Sequence, residues 1–317
     1  METRRLGELT VSVAGLGCNN FGGRIDEAQT KAVVDAALDA GVTFFDTADL
    51  YGGSGTSEEL LGRALGARRN DAVIATKFGM LPPPDGLTGG SPAWVGRAAD
   101  DSLRRLGTDH IDLYLIHQPD PTTPIGDTLE AMNALLTAGK VRELGCSNFT
   151  ADQLDEAAAA ASERGLRPFV TVQNEYSLLK RDPEADVIAA CERHDMTLTP
   201  YFPPANGLLT GKYRRGEAPA AGTRLAGMPA DRVDRFLGGT RMDVVERLTE
   251  FASAHDHTLH ELALSWLASN PIVPSVIAGA TKPEQVRANA AAVTAWPLTP
   301  DERAEVDALT GRDGRAG

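Results

Sequence analysis

Four side chains of this sequence have types and spacing suited to acid–base chemistry: Asp46, Tyr51, Lys77 and His117. They lie in Phe44-Phe45-Asp46-Thr47-Ala48-Asp49-Leu50-Tyr51-Gly52, Ala75-Thr76-Lys77-Phe78-Gly79 and Tyr114-Leu115-Ile116-His117-Gln118-Pro119-Asp120. Each segment closes an apolar, strand-like run. Singly, Asp46 reads as a loop cap, Lys77 as a cation reaching solvent and His117 as a satisfied core imidazole. Together they imply a site, because a buried carboxylate or ammonium is costly unless paired, and Asp46 is the natural partner of Lys77. The chemistry suggested is proton donation by Tyr51. A free phenol, with a pKa of about 10, is a weak acid near neutrality. Lys77 is expected to favour the phenolate and lower that value, His117 to orient the hydroxyl, and Asp46 to hold Lys77. Hydride addition to a carbonyl carbon creates an alkoxide, which Tyr51 and His117 are suited to stabilise and protonate.

Such residues need strand ends that converge. Short β-branched or aromatic runs alternate with longer helical ones about eight times. Strands are expected at 11–16, 43–46, 72–77, 111–117, 141–147, 169–174, 197–201 and 273–278, and helices at 26–40, 57–67, 92–106, 125–138, 151–164, 182–194 and 283–292. Strands nearly continuous in apolar residues imply a parallel sheet covered on both faces. At 317 residues the pattern predicts a single-domain (β/α)8 TIM barrel spanning 1–317, with an open doubly wound sheet as the alternative. In a barrel, the C-terminal strand ends all face one mouth. The irregular 202–239 segment, rich in Pro, Gly and Arg, is expected to form a loop over that mouth.

Composition narrows the partners. The chain has 31 basic and 44 acidic residues, a net charge of -13, which disfavours nonspecific binding to nucleic acid or to anionic membranes. There is no run of 18 apolar residues to span a bilayer. The opening METRRLGELTVSVAGLG lacks a signal-peptide apolar stretch, so a cytoplasmic location is expected and Asn148-Phe149-Thr150 is taken as a chance glycosylation match. Cys18, Cys146 and Cys191 match no disulfide framework or zinc spacing. Gly15-Leu16-Gly17-Cys18-Asn19-Asn20 lacks the third glycine of a dinucleotide fingerprint, and Gly52-Gly53-Ser54-Gly55 lacks the lysine of a P-loop. His255, His257 and His260 match no established metal spacing, and Thr258 suits a helix N-cap; no metal is expected.

The segments DTADLYG, ATKFG and LIHQPD resemble signatures of the aldo-keto reductase family, and the resemblance continues through GKVRELGCSNF, VQNEYSLL, GLLTGK and AGATKPEQVRAN. It covers nearly the whole chain. It implies a (β/α)8 barrel, NADPH as usual hydride donor with NADH possible, reduction of an aldehyde or ketone, and Asp46, Tyr51, Lys77 and His117 as the catalytic four. Beside it, Ser147, Asn148 and Gln173 offer the donors and acceptors that complement a carboxamide, with a helix cap for Ser147 and a buried hydrogen bond for Gln173 as the alternatives. Tyr201 is placed to stack on the nicotinamide, as its family counterpart does. Gly279, Ala280, Thr281 and Lys282 open a helix whose free N–H groups attract phosphate, and the resemblance implies that Lys282 meets the adenosine 2′-phosphate and that Gln285 and Asn289, one turn apart, meet the adenine side. Gln285 stands where many relatives have arginine, and Tyr201-Phe202-Pro203-Pro204 stands where many read Tyr-Ser-Pro-Leu. Asn20, Phe21, Phe78, Trp94 and residues of 202–239 are expected in the substrate pocket, with plain packing as the alternative for Trp94. The partner expected is a small-molecule carbonyl compound; no pattern specifies the substrate or the oligomeric state. Two rival functions fit the same barrel: a Schiff-base lyase using Lys77, and a non-catalytic cofactor-sensing module like the family's channel β subunits.

Overall fold

A computed structural model describes residues 1–223 and 225–311. Position 224 of the expected loop and the last residues, 312–317, of the expected domain lie outside the described residues. The chain opens with an antiparallel hairpin, β1 (Thr3–Leu6) and β2 (Leu9–Ser12). Eight parallel strands follow: β3 (Ala14–Gly17), β4 (Phe44–Asp46), β5 (Val73–Phe78), β6 (Ile111–Ile116), β7 (Val141–Ser147), β8 (Thr171–Glu175), β9 (Thr197–Tyr201) and β10 (Val276–Gly279). They pair in the order β10-β3-β4-β5-β6-β7-β8-β9. The seam is bridged by Leu198 N–H donating to Ile272 O at 2.9 Å, so the sheet is a nearly closed barrel. Helices α1 (Glu27–Asp39), α2 (Thr56–Leu65), α3 (Pro92–Leu106), α4 (Ile125–Thr137), α5 (Ala151–Arg164) and α6 (Val187–Arg193) alternate with strands; α7 (Ala230–Leu237), α8 (Gly239–Ala254), α9 (Leu259–Ala268), α10 (Pro283–Ala292) and α11 (Pro300–Leu309) complete the chain.

The period of two along each strand sorts the side chains. Phe44, Ala75, Leu113, Leu115 and Ile277 fill the barrel together with Leu6, Leu9 and Val11 of the hairpin, which plugs the lower end. Their neighbours Phe45, Ile74, Tyr114 and Ile116 face the helices in a second core. The plug is tied down by Glu143, which accepts from Glu8 N–H at 2.7 Å and pairs with Arg167 at 2.9 Å. Gly7 turns the hairpin at φ +56°, and an added Cβ there would meet Glu143 Oε1 at 2.7 Å. Continuing the inward parity by two residues from Phe44, Ala75 and Leu115 reaches Asp46, Lys77 and His117.

Several expected boundaries change. The 11–16 run is two strands, the end of β2 and most of β3, because the chain reverses sheets at Val13. The expected 182–194 helix breaks into a 3-10 turn at Asp182–Glu184 and α6, since Asp186 adopts φ -152° and ψ -35°. Within 202–239 the chain forms a 3-10 segment at Ala205–Thr210 and the short helix α7, so it is not all loop. Thr258 caps α9, with a reciprocal box to Glu261. His255 and His257 pack on Trp296, with ring centroids at 5.3 and 4.4 Å. No helix among the described residues is long and apolar enough to cross a membrane.

Candidate active site

β4, β5 and β6 deliver the first constellation to the upper mouth. Lys77 Nζ sits 2.8 Å from the Asp46 carboxylate and 2.8 Å from Thr47 O, to both of which it donates, and 3.5 Å from Tyr51 Oη. The ammonium is fully buried. Burial works against its charge, yet Asp46 and Tyr51 outweigh it and hold the Lys77 pKa above the ordinary lysine value. His117 meets Tyr51 edge-on, with ring centroids 5.9 Å apart. Burial, with Lys77 behind it, pulls the His117 pKa down to about 3, so the imidazole is neutral; its Nδ1 has no protein partner.

The phenol behaves otherwise than the sequence suggests. Burial raises the Tyr51 pKa and exceeds the opposing pull of Lys77, so the net shift is upward. Tyr51 therefore keeps its proton at neutral pH. This corrects the expectation of a lowered value: the lysine charge is shared with Asp46, which itself raises the phenol pKa.

Tyr51 is carried by a loop pinned from several sides. Ser57 Oγ donates to Cys18 O at 2.8 Å and lies 2.9 Å from Thr47 Oγ1, while Ser57 N–H donates to Tyr51 O at 3.1 Å. Fully buried Glu58 accepts from Thr76 Oγ1 and Arg105 Nε, each at 2.5 Å, fastening α2 to β5 and α3. On the same loop, burial and then the Glu58 charge push Asp49 up to about 7.

Two cavities meet above these groups. The first, about 270 Å³, is lined by Asp46, Tyr51, His117, Ser147, Asn148, Gln173 and Tyr201, and also by Met80, Phe202 and Ile277. Ser147, Asn148 and Gln173 line it, and several of their polar atoms bond within the protein. Gln173 Nε2 donates to Asp46 Oδ1 at 2.9 Å, Ser147 Oγ donates to Gln173 O at 2.8 Å, and Asn148 Nδ2 donates to His117 O at 2.9 Å. Tyr201 Oη donates to Asn148 Oδ1 at 2.9 Å. Asn148 holds its position at φ +61°, a conformation asparagine tolerates better than most residues.

The second cavity is a groove of about 630 Å³ that shares Asn19 and Phe202 with the first. Gly279, Ala280, Thr281, Lys282, Gln285 and Asn289 all line it. So do Arg24, Lys212 and His260, and among the described residues no Asp or Glu does. In a chain of net charge -13 this groove carries, among the described residues, three cations and a helix N-terminus, which makes its field positive. Gln285 does not reach out freely: its Oε1 accepts from Thr281 N–H at 2.7 Å and caps the turn.

A sequence profile of the Aldo/keto reductase family matches residues 14–310. The chain belongs to that family. A "Probable voltage-gated potassium channel subunit beta" of Oryza sativa is 35% identical over 98% of this chain and 96% of its own length. "Aldo-keto reductase YhdN" of Bacillus subtilis is 32% identical over 98% and 90%, and "Aldo-keto reductase yakc [NADP(+)]" of Schizosaccharomyces pombe is 34% identical over 84% and 78%. The family supports oxidoreductase activity in general.

Within this aldo/keto reductase barrel, the expected substrate residues fare poorly. Phe78 stands one residue beyond inward-facing Lys77, so alternation turns it toward the helices, where it stacks on Tyr114 at 4.7 Å. Phe21 is fully buried in the outer core, and Trp94 packs against that same core with Arg97 over its ring at 5.9 Å. Asn20 donates to Ala280 O at 3.3 Å and lines the groove, not the catalytic cavity. The residues sequence reasoning passed over are Asn19, Arg24, Met80 and Ile277, while Phe202 and Lys212 lie in the 202–239 segment expected over the mouth and His260 was weighed only as a metal ligand. Arg24 and Met80 follow strands whose ends face the mouth, a positional signal that was readable. Lys212 lies in the family-like GLLTGK segment, and only the tertiary fold brings it into the groove that Lys282 lines.

Proposed function

We propose that this protein reduces the carbonyl group of an aldehyde or ketone, using NADPH and with Tyr51 as proton donor. The observation that carries the proposal is the continuity of two sites: a groove lined, among the described residues, by three cations and no carboxylate, opening onto a cavity where a protonated phenol touches a buried ammonium. The residues fit a dinucleotide. Lys212, Lys282, Arg24 and the start of α10 would hold its phosphates, and Tyr201 would lie against the nicotinamide. A nicotinamide, when bound there, supplies hydride to the carbonyl carbon. The carbonyl oxygen becomes an alkoxide and takes the Tyr51 proton; the electron pair left on the phenolate is stabilised by Lys77 and neutralised from solvent. His117, kept neutral, donates a hydrogen bond to that oxygen without adding a competing charge. Asp46 and Gln173 hold Lys77 and one another in register. The groove cations, together with the absence among the described residues of a lining carboxylate to hold a free ribose hydroxyl, support NADPH over NADH.

Lys77 is charged and has three polar neighbours, which speaks against a lyase that needs it as a free amine. The relatives named as potassium channel β subunits favour a second reading, in which the barrel binds the nucleotide and serves a channel. Nucleotide oxidation across a panel of aldehydes and ketones separates the two. Tyr51→Phe is expected to lower turnover by at least about 100-fold with nucleotide binding unchanged. Full turnover by that variant would sink the Tyr51 mechanism.

A further inference from the structure

Among the described residues that line the cationic groove, Arg24, Lys212 and Lys282 carry charges that do not change near neutrality, and His260 carries one that can. His260 stands in the first turn of α9, and Thr258 of the same turn and Asn289 of α10 line the groove with it. Its Nδ1 is buried and has no hydrogen-bond partner. A buried ring nitrogen left unpaired works against folding, and packing alone would be served better by an apolar side chain.

The groups around the ring set its charge. Burial lowers the His260 pKa most; Asn289 and then Glu261 oppose it, and Lys212 adds a smaller push downward, so the net shift is below the ordinary histidine value. The open groove therefore holds a neutral imidazole at a pH of about 7. Glu261 is engaged elsewhere: it accepts from Thr258 N–H at 2.8 Å and from Thr258 Oγ1 at 3.0 Å, and lies 3.5 Å from His257 Nδ1. Lys212 is held against Gly207, where an added Cβ would meet its Nζ at 2.8 Å. Arg24 and Lys282, on the other segments lining the groove, add positive charge to the same space. An imidazolium is disfavoured in this setting only until negative charge arrives. A phosphate monoester, with a second pKa of about 6, is a dianion near neutrality and supplies that charge.

Resting on the reading of this groove as the nucleotide site, we propose that His260 is a proton-linked specificity residue: it takes a proton from solvent as the adenosine 2′-phosphate of NADPH binds, and so selects NADPH over NADH. NADH presents an uncharged hydroxyl at that position and gives the ring no reason to charge. Linkage is reciprocal, so the proton that NADPH draws in also tightens NADPH. The gain is present while the bound complex keeps that proton, and is lost as pH rises through the pKa of His260 in the complex.

The test is isothermal titration calorimetry of the full chain with NADPH and with NADH, in phosphate-free buffers of different ionisation enthalpy, which yields the affinity and the number of protons taken up. The wild type is expected to take up more protons with NADPH than with NADH, and to bind NADPH about tenfold more tightly at a pH of about 6.5 than at about 8.5. His260→Gln, which cannot take the charge, should abolish that difference in protons and weaken NADPH by about tenfold at the lower pH, with NADH unchanged. His260→Lys, charged throughout, should bind NADPH tightly at both pH values. Equal proton numbers and affinities in the wild type and His260→Gln overturn the proposal, and so do equal losses for the two nucleotides. Should His260→Gln misfold, the wild type decides alone: no more protons taken up with NADPH than with NADH overturns the proposal. Any of these results leaves the nucleotide groove standing. Failure of both nucleotides to bind would instead overturn the reading of the groove and this proposal with it.

Discussion

Gln173, on the strand opposite β4 across the barrel, donates its amide N–H to Asp46 Oδ1 at 2.9 Å. A residue expected to recognise a carboxamide thus also braces the carboxylate that holds Lys77. The barrel is narrow enough for side chains from opposite walls to meet, and inward glycines such as Gly15 and Gly145 keep room for them.

The Asp46–Lys77 pair should behave as a unit. Asp46→Leu leaves a buried ammonium without its counter-charge, and a loss of about 3–5 kcal/mol in urea unfolding is expected. The double variant Asp46→Leu with Lys77→Met should recover much of that stability while staying inactive. A double variant no more stable than the single one would contradict the pairing.

His117 should not titrate in the physiological range. Burial and Lys77 hold its pKa at about 3, so protonation is deferred far below the ordinary histidine value. The ring C–H signals of His117 in proton NMR are expected to stay fixed between pH of about 5 and about 8. A sigmoidal shift inside that window would show that the imidazole is solvated or paired with an acid.

Asp49 makes stability fall as pH rises. Its folded pKa is raised to about 7, first by burial and then by Glu58. Between the ordinary carboxylate range and neutrality, the folded chain therefore keeps a proton that the unfolded chain has released. Unfolding then releases a proton, so raising the pH across that window favours the unfolded chain. Asp49→Asn removes this term, and its Tm should fall less than wild type between pH of about 5 and about 8. Parallel melting curves for the two proteins would refute the assignment.

Lys282 and Lys212 should separate nucleotides by charge. Removing a cation that contacts a phosphate forfeits a charge-assisted hydrogen bond, so each alanine variant is expected to weaken NADPH by about tenfold. If Lys282 meets the adenosine 2′-phosphate, Lys282→Ala should change NADH affinity much less. Equal losses for both nucleotides would move Lys282 to the pyrophosphate. Fluorescence titration at two salt concentrations reads both effects.

Asp46, Lys77 and His117 were legible because strand ends are local features, readable from an apolar run followed by a polar residue. The same rule, carried one step further, disqualifies Phe78: alternation along β5 turns it outward once Lys77 faces in. Phe21 and Trp94 were not assignable this way, since they lie in loops and at a helix start, where no period fixes direction. Met80 was overlooked because a methionine after a strand looks like any loop residue until its exposure is known. Helix α7 was hidden in a segment rich in Pro, Gly and Arg, whose composition argues for loop.

The sequence by itself determined the family, the alternation of strands and helices, and the four residue types at the mouth, because period and composition are written along the chain. Tertiary structure alone decided how those groups are charged. Tyr51 keeps its proton, His117 stays neutral and Asp49 holds on to its proton up to near neutrality because burial, set by elements far apart in sequence, is the largest influence on each: it overrides Lys77 at Tyr51, and is joined by Lys77 at His117 and by Glu58 at Asp49. It also decided which cations share a groove. Arg24, Lys212 and Lys282 lie far apart along the chain and come together only when the barrel closes.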